Sequence, residues 1–253
     1  MKIELIAIPD IPMVQPGDDL AKIIIDSFVT SGIGIAENDI VVVAQKLLSK
    51  AESRYAYLDE VTVGDAARNL AIDCEKDPRL VQLILDESRT VLRHRPGLII
   101  VEHKCGWVMA NAGIDHSNIE NVGRDRVLLL PNDIENSTQI IRASLAKDFG
   151  ISNLGVIISD SVGRPWRIGT TGMALCVNGV TGVVDRRGES DLFGRTLEVT
   201  QVGFADSVAA AAVLVMGEGQ EAFPVVLVRG LKWSCITDES QRMVRKVEAD
   251  LFR

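Results

Sequence analysis

Gly155-Val156-Ile157-Ile158-Ser159-Asp160-Ser161-Val162-Gly163-Arg164-Pro165-Trp166-Arg167 is the stretch that decides how the rest of the chain is read. Its apolar opening predicts a strand buried on both faces. A carboxylate flanked by two hydroxyls follows at once, then a Gly/Pro turn with two arginines. The strand is therefore expected to end near Ser159, with Asp160 and Ser161 at its boundary. Hard-metal ligands beside guanidiniums suit a site that handles phosphates. Asp, Ser, Gly and Pro are equally ordinary turn residues, so this stretch alone leaves both readings open.

Working outward, further strands are expected at 3–8, 39–44, 90–92, 97–102, 107–110, 126–130, 173–177 and 224–228. Helices are expected from Gly17-Asp18-Asp19 to about Ser27, over 62–74 and 78–88, from Asn132 or Asp133 to about Phe149, over 204–216, and over 238–252; residues 45–51, which follow the 39–44 strand, carry Lys46 and Lys50. Proline near the start of the 78–88 helix is tolerated there. Strands and helices mix without strict βαβ alternation, which predicts an α+β fold with mixed sheets and packed helices. No repeat, linker or composition shift divides the chain, so residues 1–253 are expected to form one catalytic unit, with any division into two lobes not readable.

Aromatic residues make up only 4%, so the core must come mainly from Val, Ile, Leu and Ala. A net charge of −8 argues against nucleic acid and anionic membrane surfaces as partners. It leaves anionic small molecules open, since local clusters of arginine oppose a global charge. The cysteines, Cys74, Cys105, Cys176 and Cys235, are widely spaced with no CxxC pair, so neither a zinc site nor a disulfide framework is expected. The start Met1-Lys2-Ile3-Glu4 is unlike a signal peptide, and no run of 18 apolar residues occurs. The expectation is a cytoplasmic protein with reduced thiols and no membrane partner.

Three acids stand at expected element boundaries: Asp115, Asp160 and Glu218. Gathered at one point, they would repel each other unless a cation neutralised them, and an oxygen-only set suits Mg²⁺ or Mn²⁺. Boundary acids are also common, and spacing does not show that these converge. The basic candidates are Lys46, Lys50, Arg164, Arg167, Arg186, Arg187 and Arg195. Any one of them reads first as surface charge; Arg164 and Arg167, flanking Trp166 in a Gly/Pro turn, are the strongest exceptions. No GxxxxGK[ST] is present and no GxGxxG follows a strand, so neither a P-loop nor a Rossmann nucleotide site is supported. His94, His103 and His116 share no metal-binding spacing, and only His116, beside Asp115, invites attention.

These pieces together resemble one family. Asn111-Ala112-Gly113-Ile114-Asp115-His116-Ser117-Asn118, the Ser159 to Arg167 stretch and Met216-Gly217-Glu218-Gly219 look like signature segments of coenzyme F420-0:L-glutamate ligases. So do Val42-Val43-Ala44-Gln45-Lys46 with Ser49-Lys50-Ala51-Glu52, and Asp185-Arg186-Arg187-Gly188 with Asp191-Leu192-Phe193-Gly194-Arg195. The match covers nearly the whole chain. It implies attachment of L-glutamate by γ-linked amide bonds to the deazaflavin precursor F420-0, with GTP as co-substrate. It also implies Mg²⁺ or Mn²⁺, with room for a monovalent cation, and an intertwined homodimer of α+β subunits.

Carried over position by position, the metal ligands would be Asp115, Asp160, Ser161 and Glu218. GTP contacts would come from Ile11, Pro12, Met13, Val14, Gln45, Lys46, Lys50 and Asn118. Met216, Gly217, Glu218, Gly219, Gln220, Glu221, Ala222 and Phe223 would complete them. Lys50 would add a cation at the β- and γ-phosphates, and Arg164 or Arg167, by placement rather than by resemblance, would hold the acceptor's carboxylate or phosphodiester. Ser161 stands where some members have threonine, and Gln45-Lys46 where some have small hydroxyl residues, which touches the choice of GTP over ATP. No reductase domain is expected after the ligase. The competing readings are an amide ligase acting on another carboxylate, a metal-dependent nucleotide phosphohydrolase, and a nucleotide-binding protein without turnover.

Overall fold

The computed structural model describes residues 2–120, 123–233 and 243–252. In chain order the strands are β1 (Glu4–Ala7), β2 (Ile40–Ala44), β3 (Tyr55–Tyr57), β4 (Ser88–Arg95), β5 (Leu98–His103) and β6 (Val108–Ala110). They continue with β7 (Arg126–Leu128), β8 (Gly155–Gly163), β9 (Thr170–Asn178), β10 (Val183–Asp185), β11 (Gln201–Gly203) and β12 (Val225–Arg229). The helices are α1 (Leu20–Thr30), α2 (Gln45–Ala51), α3 (Asp65–Cys74), α4 (Pro78–Asp86), α5 (Ile134–Asp148) and α6 (Phe204–Met216). Mixed sheets with segregated helices make this an α+β protein, as expected.

The central sheet has the order β1-β12-β2-β8-β9. Only β2 and β8 are parallel; the other pairs are antiparallel. Ile40, Val41, Val42 and Val43 are all fully buried, because helices cover both faces of this sheet. Alternation divides the strand: Val41 and Val43 join the core that holds Ile24, Phe28, Ile141 and Leu145 of α1 and α5. Ile40 and Val42 join the core under Val208, Ala209 and Ala212 of α6. A run that reads as uniformly apolar thus serves two layers at once.

Close approach of α6 to the sheet depends on one glycine. A Cβ at Gly172 of β9 would lie 2.3 Å from the backbone oxygen of Ala209. The α6 helix is Ala-rich because it packs here against the strands of its own subunit. Helix starts follow local chemistry: Asp19 accepts from the Lys22 N–H at 3.0 Å and Asp133 from the Asn136 N–H at 3.2 Å. Asp77 accepts from the Arg79 N–H at 2.8 Å, with Pro78 beginning α4. At the far end of the sheet, Asp39 is 1% exposed and accepts from Arg229 Nε at 3.0 Å.

Two smaller sheets, β4-β5-β6 and β3-β7, pack with α3 and α4 around separate apolar clusters. They carry residues 111–120 up to the end of the central sheet. Among the described residues no helix is long and apolar enough to cross a membrane. Cys74, Cys105 and Cys176 are free thiols.

Two expectations are corrected. Strand β8 does not end at Ser159; it continues to Gly163, paired with β9 as far as Thr170. What ends there is its parallel neighbour, since Ala44↔Ser159 is the last pair with β2. A register shift between Ile158 and Ser159 marks the change from a three-strand to a two-strand environment. The helix expected over 238–252 is absent where it is described: residues 243–252 hold only a 3₁₀ turn, Val247–Ala249. Residues 238–242 of that expectation lie outside the described residues. The three-residue strands β3, β10 and β11 were not anticipated.

Candidate functional site

The parallel pair β2 and β8 aims two chain ends at one place. The register Ala44↔Ser159 puts Gln45 and Lys46, which open α2, beside Asp160 and Ser161. The third contributor is the loop after β6. Asn111, Ala112 and Gly113 all have positive φ, a tight left-handed turn that places Asp115 against Leu128 in an isolated bridge. A Cβ on Gly113 would meet the Leu130 side chain at 2.8 Å, so this turn also requires the bare backbone. The fourth contributor is the end of α6, where Gly217 (φ +72°) turns the chain so that Glu218 comes back toward β8.

The four carried-over metal positions are thereby brought together. Gln45 Nε2 donates to Asp115 Oδ2 at 3.0 Å, and Ser49 Oγ holds the other end of Gln45 at 2.8 Å. Lys46 Nζ lies 3.1 Å from the same Asp115 oxygen. Ser161 Oγ donates to Glu218 Oε1 at 2.5 Å, and the Ser161 N–H donates to Asp160 Oδ1 at 2.9 Å. Burial, then the negative charge of Asp115, pushes the Asp160 carboxyl up to about 7. Burial also raises Asp115, against the pull of Lys46. Glu218 adds to the repulsion on both.

This is an acid cluster short of positive charge. Its donors are all oxygen, which fits Mg²⁺ or Mn²⁺ and not zinc. Among the described residues no three acid, His or Cys side chains already enclose a single ion. Asp115 is engaged by Lys46 and Glu218 by Ser161 instead.

Beside the cluster lies a cleft of about 580 Å³, the size range of small-ligand sites. Residues 11–14, Gln45, Lys46, Lys50, Asn118, residues 216–220, Ala222 and Phe223 line it, with Asp160 and Ser161 at its wall. Asn118, at φ +57°, donates to the Gly219 carbonyl at 3.3 Å and so ties two of the walls together. Glu221 faces inward on its own loop, accepting from the Gly219 N–H at 2.8 Å, and does not line the cleft. Burial, then the nearby charges of Lys46 and Arg126, holds the Lys50 amine below its ordinary value. Half-buried and without an ion-pair partner among the described residues, this ammonium is ready for an anion.

The other basic candidates lie elsewhere. Arg164 and Arg167 are exposed at the tip of the β8–β9 hairpin, where Arg164 Nη1 donates to the Gly169 carbonyl at 3.0 Å. Arg186 is paired with Glu189, Arg187 with Asp185, and Arg195 is exposed. His116 turns to Asp125 at 2.9 Å. His103 is buried against Trp107. Sequence reasoning missed Gln15, Ile119 and Glu120 on the cleft wall. It also missed Arg126, whose charge reaches Lys50; an arginine on a short strand carries no local signal of this.

Fold and site define a class: an α+β protein that joins a nucleotide-sized cleft to a carboxylate cluster without a P-loop sequence. The sequence model of F420-0:Gamma-glutamyl ligase matches residues 9–230, and the chain belongs to that family. It is similar to coenzyme F420:L-glutamate ligase of Methanothermobacter thermautotrophicus, with 40% identity across the full length of both chains. The Methanopyrus kandleri protein of the same name is 40% identical over 95% of this chain and 93% of its own. That of Methanosarcina mazei is 39% identical over 95% and 91%.

Proposed function

We propose that the chain is a cytoplasmic, GTP-dependent ligase that adds L-glutamate to F420-0 through γ-linked amide bonds. The observation that carries this reading is the meeting of Asp115, Asp160 and Glu218 with Lys46 and Lys50 beside the cleft. The names of the similar proteins supply the acceptor and the amino acid.

A carboxylate is a poor electrophile, so amide formation from it needs activation. The γ-phosphoryl group of GTP passes to the acceptor carboxylate, giving an acyl phosphate and GDP. The amine of L-glutamate then attacks the acyl carbon, the C–O bond to phosphate breaks, and the amine's proton leaves with the products. Residues 11–14, 216–220, Ala222 and Phe223 hold the nucleotide, with Gln45, Lys46 and Asn118. Lys50 sits against the β- and γ-phosphates and offsets the charge that shifts during transfer. Asp115, Asp160, Ser161 and Glu218 would hold Mg²⁺ or Mn²⁺, which supplies positive charge to phosphate oxygens. Arg164 and Arg167, exposed on their hairpin, are assigned to the acceptor's carboxylate or phosphodiester.

The active form we propose is a homodimer. Trp166, Ile168, Leu192, Phe193 and Val199 are each more than 85% exposed. Large apolar side chains so exposed, on the β8–β9 hairpin and between β10 and β11, suit a surface that a second subunit covers.

The reading is tested by mass spectrometry of F420-0 incubated with the chain, L-glutamate, GTP and Mn²⁺. Glutamyl units are expected only when both nucleotide and ion are present.

A further inference from the structure

A second cavity of about 480 Å³ opens beside the main cleft. Ile119 and Glu120 stand between the two and line both. Its far wall is the entry to β7, where Arg124, just before the strand, and Arg126, its first residue, are separated by one residue. Both guanidiniums are fixed in the same way, each lying 4.1 Å over a tyrosine ring of the β3 segment, Tyr57 and Tyr55 respectively. Their charges are treated differently. Arg124 is neutralised by Asp59 at 2.5 Å and Glu60 at 2.7 Å. Arg126 donates only to the carbonyl of Glu120, from Nε at 3.2 Å and Nη2 at 2.9 Å. Among the described residues no carboxylate pairs with it.

A half-buried, clamped arginine without a counter-charge is a preformed anion site. Ile119 and Glu120, common to both linings, join this site to the main cleft, where Lys50 feels the charge of Arg126. The same cavity carries negative groups. Glu120 has no side-chain partner among the described residues, and Asp125 Oδ1 accepts from His116 Nε2 at 2.9 Å. Two carboxylates in its wall would repel a phosphate. A ligand with both an ammonium and a carboxylate is matched by this mixture of signs.

Resting on the reading above, we infer that this cavity is the binding site of the incoming α-amino acid. Arg126 grips a carboxylate of L-glutamate, and Glu120 receives its ammonium group. The amine is thereby held at the boundary between the cavity and the phosphate end of the cleft, on the side from which an acyl phosphate is attacked. Arg126 is a substrate-binding residue of the amino acid and not of the nucleotide.

The test is steady-state kinetics of the full chain carrying Arg126→Gln and, separately, Arg126→Lys. Gln keeps a planar donor for the Glu120 carbonyl, and Lys keeps the charge. Loss of a charge-assisted hydrogen bond is expected to raise KM for L-glutamate roughly 10- to 100-fold in R126Q. KM for GTP and for F420-0 should stay within about twofold, and R126K should lie between R126Q and wild type. Should R126Q not fold, the same split in R126K decides. An unchanged KM for L-glutamate, or an equal rise for GTP or F420-0, overturns the assignment while the ligase reading stands. A wild-type chain that adds no glutamate overturns both.

Discussion

Asp160 gains its character from position. It is the first residue of β8 beyond the last pair with β2, so it is half-buried at the cleft wall, beside the ends of α2 and α6. Burial and the nearby Asp115 make its carboxylate costly until positive charge arrives. Asp160→Asn keeps the shape and removes that demand. Its expected effect is a fall in kcat/KM for ligation of roughly 10³-fold or more, equivalent to several kcal/mol of transition-state stabilisation. Initial rates measured over a range of Mn²⁺ concentrations check this; normal turnover with normal ion dependence would remove Asp160 from the site. The three acids and two lysines were legible in the sequence because each sits in a polar break after an apolar run. Arg126 was not, because what matters about it is a missing counter-charge, and that depends on Asp59 and Glu60 turning to Arg124.

At the scale of elements, the buried strands were the most legible. Ile40 to Val43 and Val225 to Val228 read as strands because helices cover both faces and no polar residue interrupts them. The second half of β8 was read as a turn, since Ser159, Asp160 and Ser161 lack any apolar pattern. Pairing with β9 holds it in a strand regardless. The terminal helix failed for the opposite reason. Its spacing is amphipathic, but Val247, Leu251 and Phe252 are 58%, 92% and 61% exposed, so among the described residues that face is left mostly uncovered. Most helical stability comes from such docking. The contact of α6 with β9 gives a direct test. Gly172→Ala would drive a methyl group into the Ala209 carbonyl, and overpacking of this kind costs about 1–3 kcal/mol. Urea denaturation should show that loss; a stability equal to wild type would mean that α6 is free to retreat from the sheet.

At the scale of the molecule, the fold brings together five segments far apart in sequence: residues 11–14, α2, the outer half of β8, the loop carrying Asp115 to Glu120 and the end of α6. Short local signals marked each segment, but only the parallel register of β2 with β8 and the left-handed turn at Asn111 to Gly113 make them one site. The exposed apolar side chains of the β8–β9 hairpin, Trp166 and Ile168, and of the segment between β10 and β11 predict a homodimer. Light scattering should give a mass twice the 27.5 kDa of one chain. Ile168→Glu, which places a charge on a side chain that is fully exposed in the subunit, should shift that mass toward a single chain. A monomeric wild-type protein would contradict the homodimer.

The most direct test of the whole account is mass spectrometry of F420-0 after incubation with the chain, L-glutamate, GTP and Mn²⁺. The account predicts products heavier by one or more glutamyl units, absent without GTP or without the ion, and nearly absent with Asp160→Asn. GTP hydrolysed with no glutamyl unit added, whatever the glutamate supplied, would contradict it.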